Sequence, residues 1–172
     1  MGFTLAAVYL LFARPTVSGL FWGAVVALAG VALRAWSAGY LAKNRRLATA
    51  GPYAYTRNPL YLGSAIAGIG FCIAGGRWWF FLLLGTFLTA VYWPVIRREE
   101  AYLRELFAHE FDAYARSVPV LLPRLSRPAH PRDPLPRFDW QLYRQNRESE
   151  ALLAYGIILL LLFGKMIFLG GT

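Results

Sequence analysis

Apolar residues along this chain fall into long blocks rather than alternating with polar ones. Val17 to Leu41 is one block, broken by Arg34; Leu60 to Gly75 and Trp78 to Ile96 follow, and Leu152 to Leu169 is the last. A helix rises 1.5 Å per residue and crosses a ~30 Å hydrocarbon core in about 20 apolar residues. Each block therefore predicts a membrane helix. Phe3 to Ala13 is shorter and stops at Arg14-Pro15. It predicts a short or tilted first helix rather than a cleaved leader, because no basic residue precedes it and no small-x-small site stands before Arg14. The expected fold is an all-α integral membrane protein: about five transmembrane helices, the first one short, plus a cytosolic amphipathic helix. One membrane domain takes in residues 1–172.

Local signals refine these elements. Gly75-Gly76 marks a turn, and Trp78-Trp79 beside it, like Tyr92-Trp93, suits a membrane interface. Pro94 removes a backbone donor and should loosen or kink its helix. From Arg97 the pattern becomes amphipathic. Leu103, Leu106, Phe107, Phe111, Tyr114 and Val118 form one stripe, with Glu105, His109, Asp112 and Arg116 opposite. After Val118-Pro119 come Pro123, Pro128, Pro131, Pro134 and Pro136, which predict an extended cytosolic connector over residues 125–150. The last transmembrane helix covers residues 151–169. Lys165, near its far end, is expected to snorkel outward, and Asn146-Arg147-Glu148 reads either as a lid or as a polar helix start.

Composition agrees: 58% of residues are hydrophobic and 16% charged, against roughly 25% charged in average chains. The net charge of +9 is distributed asymmetrically. Lys43, Arg45, Arg46 and Arg57 lie in one loop and ten arginines lie from Arg97 to Arg147, whereas the opposite loops hold Arg14 and Arg77. That asymmetry argues against nucleic acid as the partner and places the basic segments in the cytoplasm, near anionic lipid headgroups. Cys72 is the single cysteine and only His109 and His130 are histidines, so neither a disulfide nor a metal site is expected.

Two polar clusters interrupt the apolar plan. The loop Gly51-Pro52-Tyr53-Ala54-Tyr55-Thr56-Arg57-Asn58-Pro59-Leu60-Tyr61 is unusually rich in aromatic, amide and guanidinium groups. Glu99 and Glu100 are the first acidic residues in the chain. A helix out and a helix back return them to the membrane face from which the loop departs. Irregular backbone at membrane depth is tolerated where it lines a cavity. Glu99 and Glu100 fall near the apolar stripe and need partners. They either serve a site or form salt bridges to Arg57 or Arg45. Arg34 lies ~13 Å from its helix end, too deep for easy snorkelling. It is either a ligand for a cofactor or headgroup or one half of a structural ion pair. Tyr55 is expected to pack.

The stretches LRAWSAGYLAKNRRLATAGPYAYTRNPLYLGS and REEAYLRELFAHEFDAYARSVPVLLPR carry a recognisable order. A G-x-Y-x-x-x-R-N-P-x-Y-x-G run is followed by one helical hairpin, then an E-E pair leading into F-x-x-x-[FY]-x-x-Y and V-P. Residues 28–124 thereby resemble the isoprenylcysteine carboxyl methyltransferase and phospholipid methyltransferase family of integral membrane enzymes. The resemblance implies methyl transfer from S-adenosylmethionine, bound at the cytosolic side, to a lipophilic substrate entering from the bilayer. It implies cofactor contacts at Arg45, Arg46, Leu47, Ala48, Tyr53, Asn58, Pro59, Leu60, Tyr61 and Glu99. Arg45 or Arg46 suits the cofactor carboxylate, and Glu99 or the faces of Tyr53 and Tyr61 suit the sulfonium. Asn58 suits adenine or ribose. Glu100 is the nearest base for an amine or thiol acceptor. The family's substrate-carboxylate arginine is replaced by Val95, with Arg97 or Arg98 as substitutes, so a prenylcysteine carboxylate is disfavoured. Arg98 is the second catalytic candidate, although it projects away from Glu100; Arg34 and Arg57 are candidates for substrate contact. The rival readings are a sterol-type reductase using a nicotinamide cofactor and a non-enzymatic lipid-binding protein.

Overall fold

The computed structural model of the chain describes residues 2–126 and 137–170. Its elements are α1 (Gly2–Phe12), α2 (Val17–Ala38), a 3-10 turn (Gly51–Ala54), α3 (Pro59–Gly75), α4 (Trp79–Phe87), a π turn (Leu88–Tyr92), α5 (Trp93–Ser117), α6 (Trp140–Gln145) and α7 (Glu148–Gly170). No strand occurs among the described residues. Among the described residues three helices are long and apolar enough to cross a membrane: Val17–Ala38, the continuous Trp79–Ser117 and Glu148–Phe168. α3, at 17 residues, is apolar but shorter, and α1 has 11 residues. Large apolar side chains cover the outside, with Leu82 61%, Leu160 71% and Phe168 81% exposed. Such a surface suits hydrocarbon rather than water.

Helices α2 and α3 form the central pair. Small residues on each let the backbones touch. A Cβ on Gly30 would lie 2.4 Å from Ala67 N, and one on Gly70 would lie 2.3 Å from Ala27 N. Close approach through glycine and alanine is how membrane helices gain packing without a hydrophobic drive between them. The turn between α3 and α4 depends on Gly76, whose φ of +65° is left-handed. Arg14 N donates to Gly75 O at 2.8 Å, which fixes the α1–α2 connector against this turn.

α7 lies against α2. Tyr155 hydroxyl donates to Ala24 O at 3.0 Å, and Arg34 binds Glu148 through Nη2–Oε1 at 2.7 Å and Nε–Oε2 at 3.0 Å. Asn146 Nδ2 donates to Ala38 O and Leu41 O, capping the end of α2. Residues 146–148 are thus a clasp at a helix start rather than a lid. Lys165 Nζ donates to Leu10 O and Leu11 O, capping α1. Of the expected connector, Pro128, Pro131, Pro134 and Pro136 lie outside the described residues, as does His130. Its remaining portion contains α6, begun by Asp139, whose side chain accepts from Gln141 N and Leu142 N.

Pro94 acts as expected, but the helix loosens instead of breaking. Trp93 N bonds five residues back to Leu88 O, giving the π turn just before the proline. α5 breaks elsewhere, at Ala108 (φ 39°, ψ −117°). Arg104 Nε reaches Asp112 Oδ1 at 2.9 Å although eight residues separate them. In a straight helix that separation is about 12 Å, so the bridge spans the bend. The bend also corrects the single stripe: Phe111, Tyr114 and Val118 are buried with Leu103 and Phe107 against Leu47, whereas Leu106 is exposed. Asp112, expected on the solvated face, is half-exposed there and forms the bridge with Arg104.

Candidate active site

The Gly51–Tyr61 loop is built on hydrogen bonds to the chain that leaves α5. Gly51 has φ +59°, and a Cβ there would lie 2.6 Å from the Tyr40 ring, so glycine is required for both angle and space. Tyr114 hydroxyl donates to Tyr53 O at 2.7 Å. Beyond the turn, Arg57 N donates to Pro119 O and Arg124 N to Tyr55 O. Thr56 hydroxyl donates to Leu121 O at 2.9 Å, and Asn58 Nδ2 to Val120 O at 2.9 Å. Val118-Pro119 gives the extended backbone these bonds need. Pro59 then opens α3, where its missing N–H costs nothing.

Between this loop, the 41–48 turn and α5 lies a cavity of about 180 Å³. Its wall includes Arg46, Leu47, Ala48, Tyr53, Asn58, Pro59, Leu60, Tyr61 and Glu99, together with Arg57 and Glu100. Arg45 and Arg98 are exposed and outside that wall. Arg34 is also outside it, paired with Glu148 and bonded to Ser64 Oγ. Sequence reasoning overlooked Lys43, Asn44, Tyr102, Leu103, Phe107, Phe111 and Tyr114 as wall residues. The stripe contained a signal for four of them, since part of an apolar face can line a cavity. Tyr102 carried none.

The two clusters meet here. Tyr61 hydroxyl donates to Glu99 Oε2 at 3.0 Å, and Arg57 Nε lies 3.3 Å from Glu100 Oε1. The second pair is nearly buried, with side-chain exposures of 12% and 7%. Neither of those two atoms has a hydrogen-bond partner: the charges face each other without aligned geometry. Arg97 Nη1 stands 4.0 Å from Glu100 Oε2. Burial, reinforced by Tyr114 and Glu99, holds the Tyr53 phenol well above its ordinary pKa, so it remains a neutral aromatic wall. Cations at the mouth, a carboxylate and aromatic faces inside, and an incompletely bonded ion pair can together bind a zwitterion that carries a second positive centre. Among the described residues no group of three or more His, Cys, Asp or Glu side chains could hold a metal ion.

The family model described as phospholipid methyltransferase matches residues 18–110, more than half of the chain. The cobalt-zinc-cadmium resistance protein CzcN of Cupriavidus metallidurans is 37% identical over 95 residues, 54% of this chain and 44% of that protein. The nickel-cobalt-cadmium resistance protein NccN of Alcaligenes xylosoxydans is 36% identical over the same shares. The protein-S-isoprenylcysteine O-methyltransferase of Schizosaccharomyces pombe is 35% identical over 81 residues, 47% of this chain and 34% of that protein. The chain thus spans less than half the length of these curated relatives. No solved structure matches it.

Proposed function

The chain belongs to the phospholipid methyltransferase family, and on that premise we propose that it is a multi-pass membrane methyltransferase using S-adenosylmethionine. Its methyl acceptor is a lipophilic molecule that enters from the bilayer, and its site faces the cytoplasm. The observation that carries this reading is the closure of one cavity by the R-N-P-x-Y loop and the Glu99-Glu100 pair, joined at Tyr61–Glu99 and Arg57–Glu100. The cytoplasmic orientation rests on the basic residues concentrated at this end, and the expectation of about five spanning helices remains part of the proposal.

The wall fits the cofactor in chemistry. S-adenosylmethionine supplies, when bound, an activated methyl group on a sulfonium sulfur. Arg46 and Lys43 would hold its carboxylate. Glu99, oriented by the Tyr61 hydroxyl, would offset the sulfonium charge, and the Tyr53 ring would add an electron-rich surface. Asn58 already donates to Val120 O, so its amide oxygen is the part that suits an adenine or ribose donor. Glu100 takes the proton when the acceptor is an amine or thiol, and Arg57 stabilises its anionic form. With a positioned acceptor, alignment and exclusion of water supply most of the remaining catalysis.

Labelled methyl transfer from S-adenosylmethionine into a membrane lipid extract tests the reading. Wild type is expected to label a lipid-soluble product, and Glu99→Gln to reduce labelling by roughly tenfold or more. Binding of NADPH without response to S-adenosylmethionine would instead support the reductase reading. Unaltered ligand binding in both Glu99→Gln and Asn58→Ala would support the non-enzymatic one.

A further inference from the structure

A second cavity, of about 330 Å³, lies between α4 and α7 with α2 and α3 as its floor. We infer that it is the slot for the hydrocarbon tail of the methyl acceptor, an inference that rests on the methyltransferase reading above. At one end it is stopped where Phe80, Leu84, Ile158 and Leu162 pack together. At the other end stand Arg34 and Tyr92. Three of its polar wall groups are engaged with protein: Arg34 with Glu148, Ser64 with Leu60 O, and Tyr155 with Ala24 O. The rest of the wall is mostly aliphatic or aromatic. A cavity of this kind suits hydrocarbon, since water needs several polar partners.

The position of its inner end selects the acceptor as occupant over a structural lipid. Tyr92 lines this cavity, and its ring packs edge-on against Tyr61 at 5.2 Å. Tyr61 lines the first cavity and donates to Glu99. One aromatic pair therefore separates the two spaces. A chain lying in the slot with its head at Tyr92 presents that head to Glu99 and Glu100 once the pair parts. A lipid that merely filled a groove would have no reason to end beside the methyl-donor wall. On one side the slot is walled by Ala151, Ala154 and Ile158 of α7, a helix beyond the region matched by the family. Tail selection is thereby a property of this chain's own C-terminal helix. The small alanines leave the room that a tail requires.

The test compares wild type with Ala154→Phe, a substitution at an exposed position that fills the slot from the α7 side. A photoactivatable long-chain fatty acid is crosslinked to the full chain in nanodiscs, and adducts are mapped by mass spectrometry. Wild type is expected to carry adducts on Ala151–Ile158 and Leu84–Tyr92, reduced roughly tenfold in the variant. Adducts on the exposed Leu160 and Phe168 should be equal in both. S-adenosylmethionine affinity should be unchanged in the variant, while labelled methyl transfer into the lipid extract falls by a similar factor. Equal slot adducts in the two proteins overturn the inference. Slot adducts that vanish while methyl transfer is unchanged also overturn it, because the occupant is then a structural lipid. Slot adducts in a wild type that does not bind S-adenosylmethionine overturn both the acceptor assignment and the methyltransferase reading, and leave a lipid-binding protein.

Discussion

At the scale of single residues, the site depends on charges placed where charge is costly. Glu100 and Arg57 are both nearly buried and face each other, so removing Glu100 takes from Arg57 the carboxylate it faces. Glu100→Ala is expected to destabilise the protein by about 3 kcal/mol. The double variant Glu100→Leu/Arg57→Met should recover most of that loss in denaturant unfolding of the detergent-solubilised protein. If the single variant unfolds like wild type, the ion pair carries no stability. Tyr53 makes a separate prediction. Its phenol pKa is raised above the ordinary value of 10.0 by burial. Folding therefore favours the protonated form, and the contribution is complete below about pH 10 and lost as pH rises beyond it. Tyr53→Phe should flatten the fall in stability above that pH, as read by thermal melting across an alkaline series.

The members of the loop and the glutamate pair were legible in the sequence because a local motif contains the first and a two-residue signal the second. Partnerships were less legible. That Glu99 or Glu100 needs a cation or hydrogen bond followed from burial alone, and Arg57 stood among the candidates. Glu148 as the partner of Arg34 did not, because 114 residues separate them and no local periodicity links an α2 position to the start of α7.

At the scale of elements, hydrophobic blocks located the helices and Pro94 indicated the loosened turn. The break at Ala108 was invisible. Neither Gly nor Pro stands beside it, and the residues around it favour continued helix. It is imposed from outside: the buried Phe111, Tyr114 and Val118 turn toward Leu47, and Arg104 holds the bend through Asp112. Ala108 is consequently strained at positive φ. Ala108→Gly should stabilise by up to about 1 kcal/mol, whereas glycine in a regular helix interior costs about that much. The sign of the change in unfolding free energy distinguishes a bent α5 from a straight one. The α2–α3 contact was also overlooked, although Gly23, Ala27 and Gly30 face Gly63, Ala67, Gly70 and Ala74 at recurring spacings of three and four. Small residues in an apolar block read as unremarkable until a partner helix is known.

At the scale of the whole molecule, the central α2–α3 pair carries the loop on one end while the C-terminal segment grips that same end. Phe138 covers Gly39, where a Cβ would lie 2.2 Å from its ring. It also stacks edge-on with Tyr40, the residue that packs on Gly51. Asn146 and Glu148 complete the grip. Glu148→Ala should cost about 3 kcal/mol by leaving Arg34 unpaired, and should make the segment before α7 more readily cleaved in limited proteolysis. Unchanged cleavage would show that α7 is held by its apolar contacts alone.

The central claim is that the cavity between the Gly51–Tyr61 loop and α5 binds S-adenosylmethionine. Calorimetric titration of the purified full chain measures this most directly. Saturable binding, weakened in Glu99→Gln and retained in Arg98→Ala, is the result expected from a wall that includes the first residue and excludes the second. Absence of binding at high micromolar cofactor, in protein shown to be folded, would contradict it.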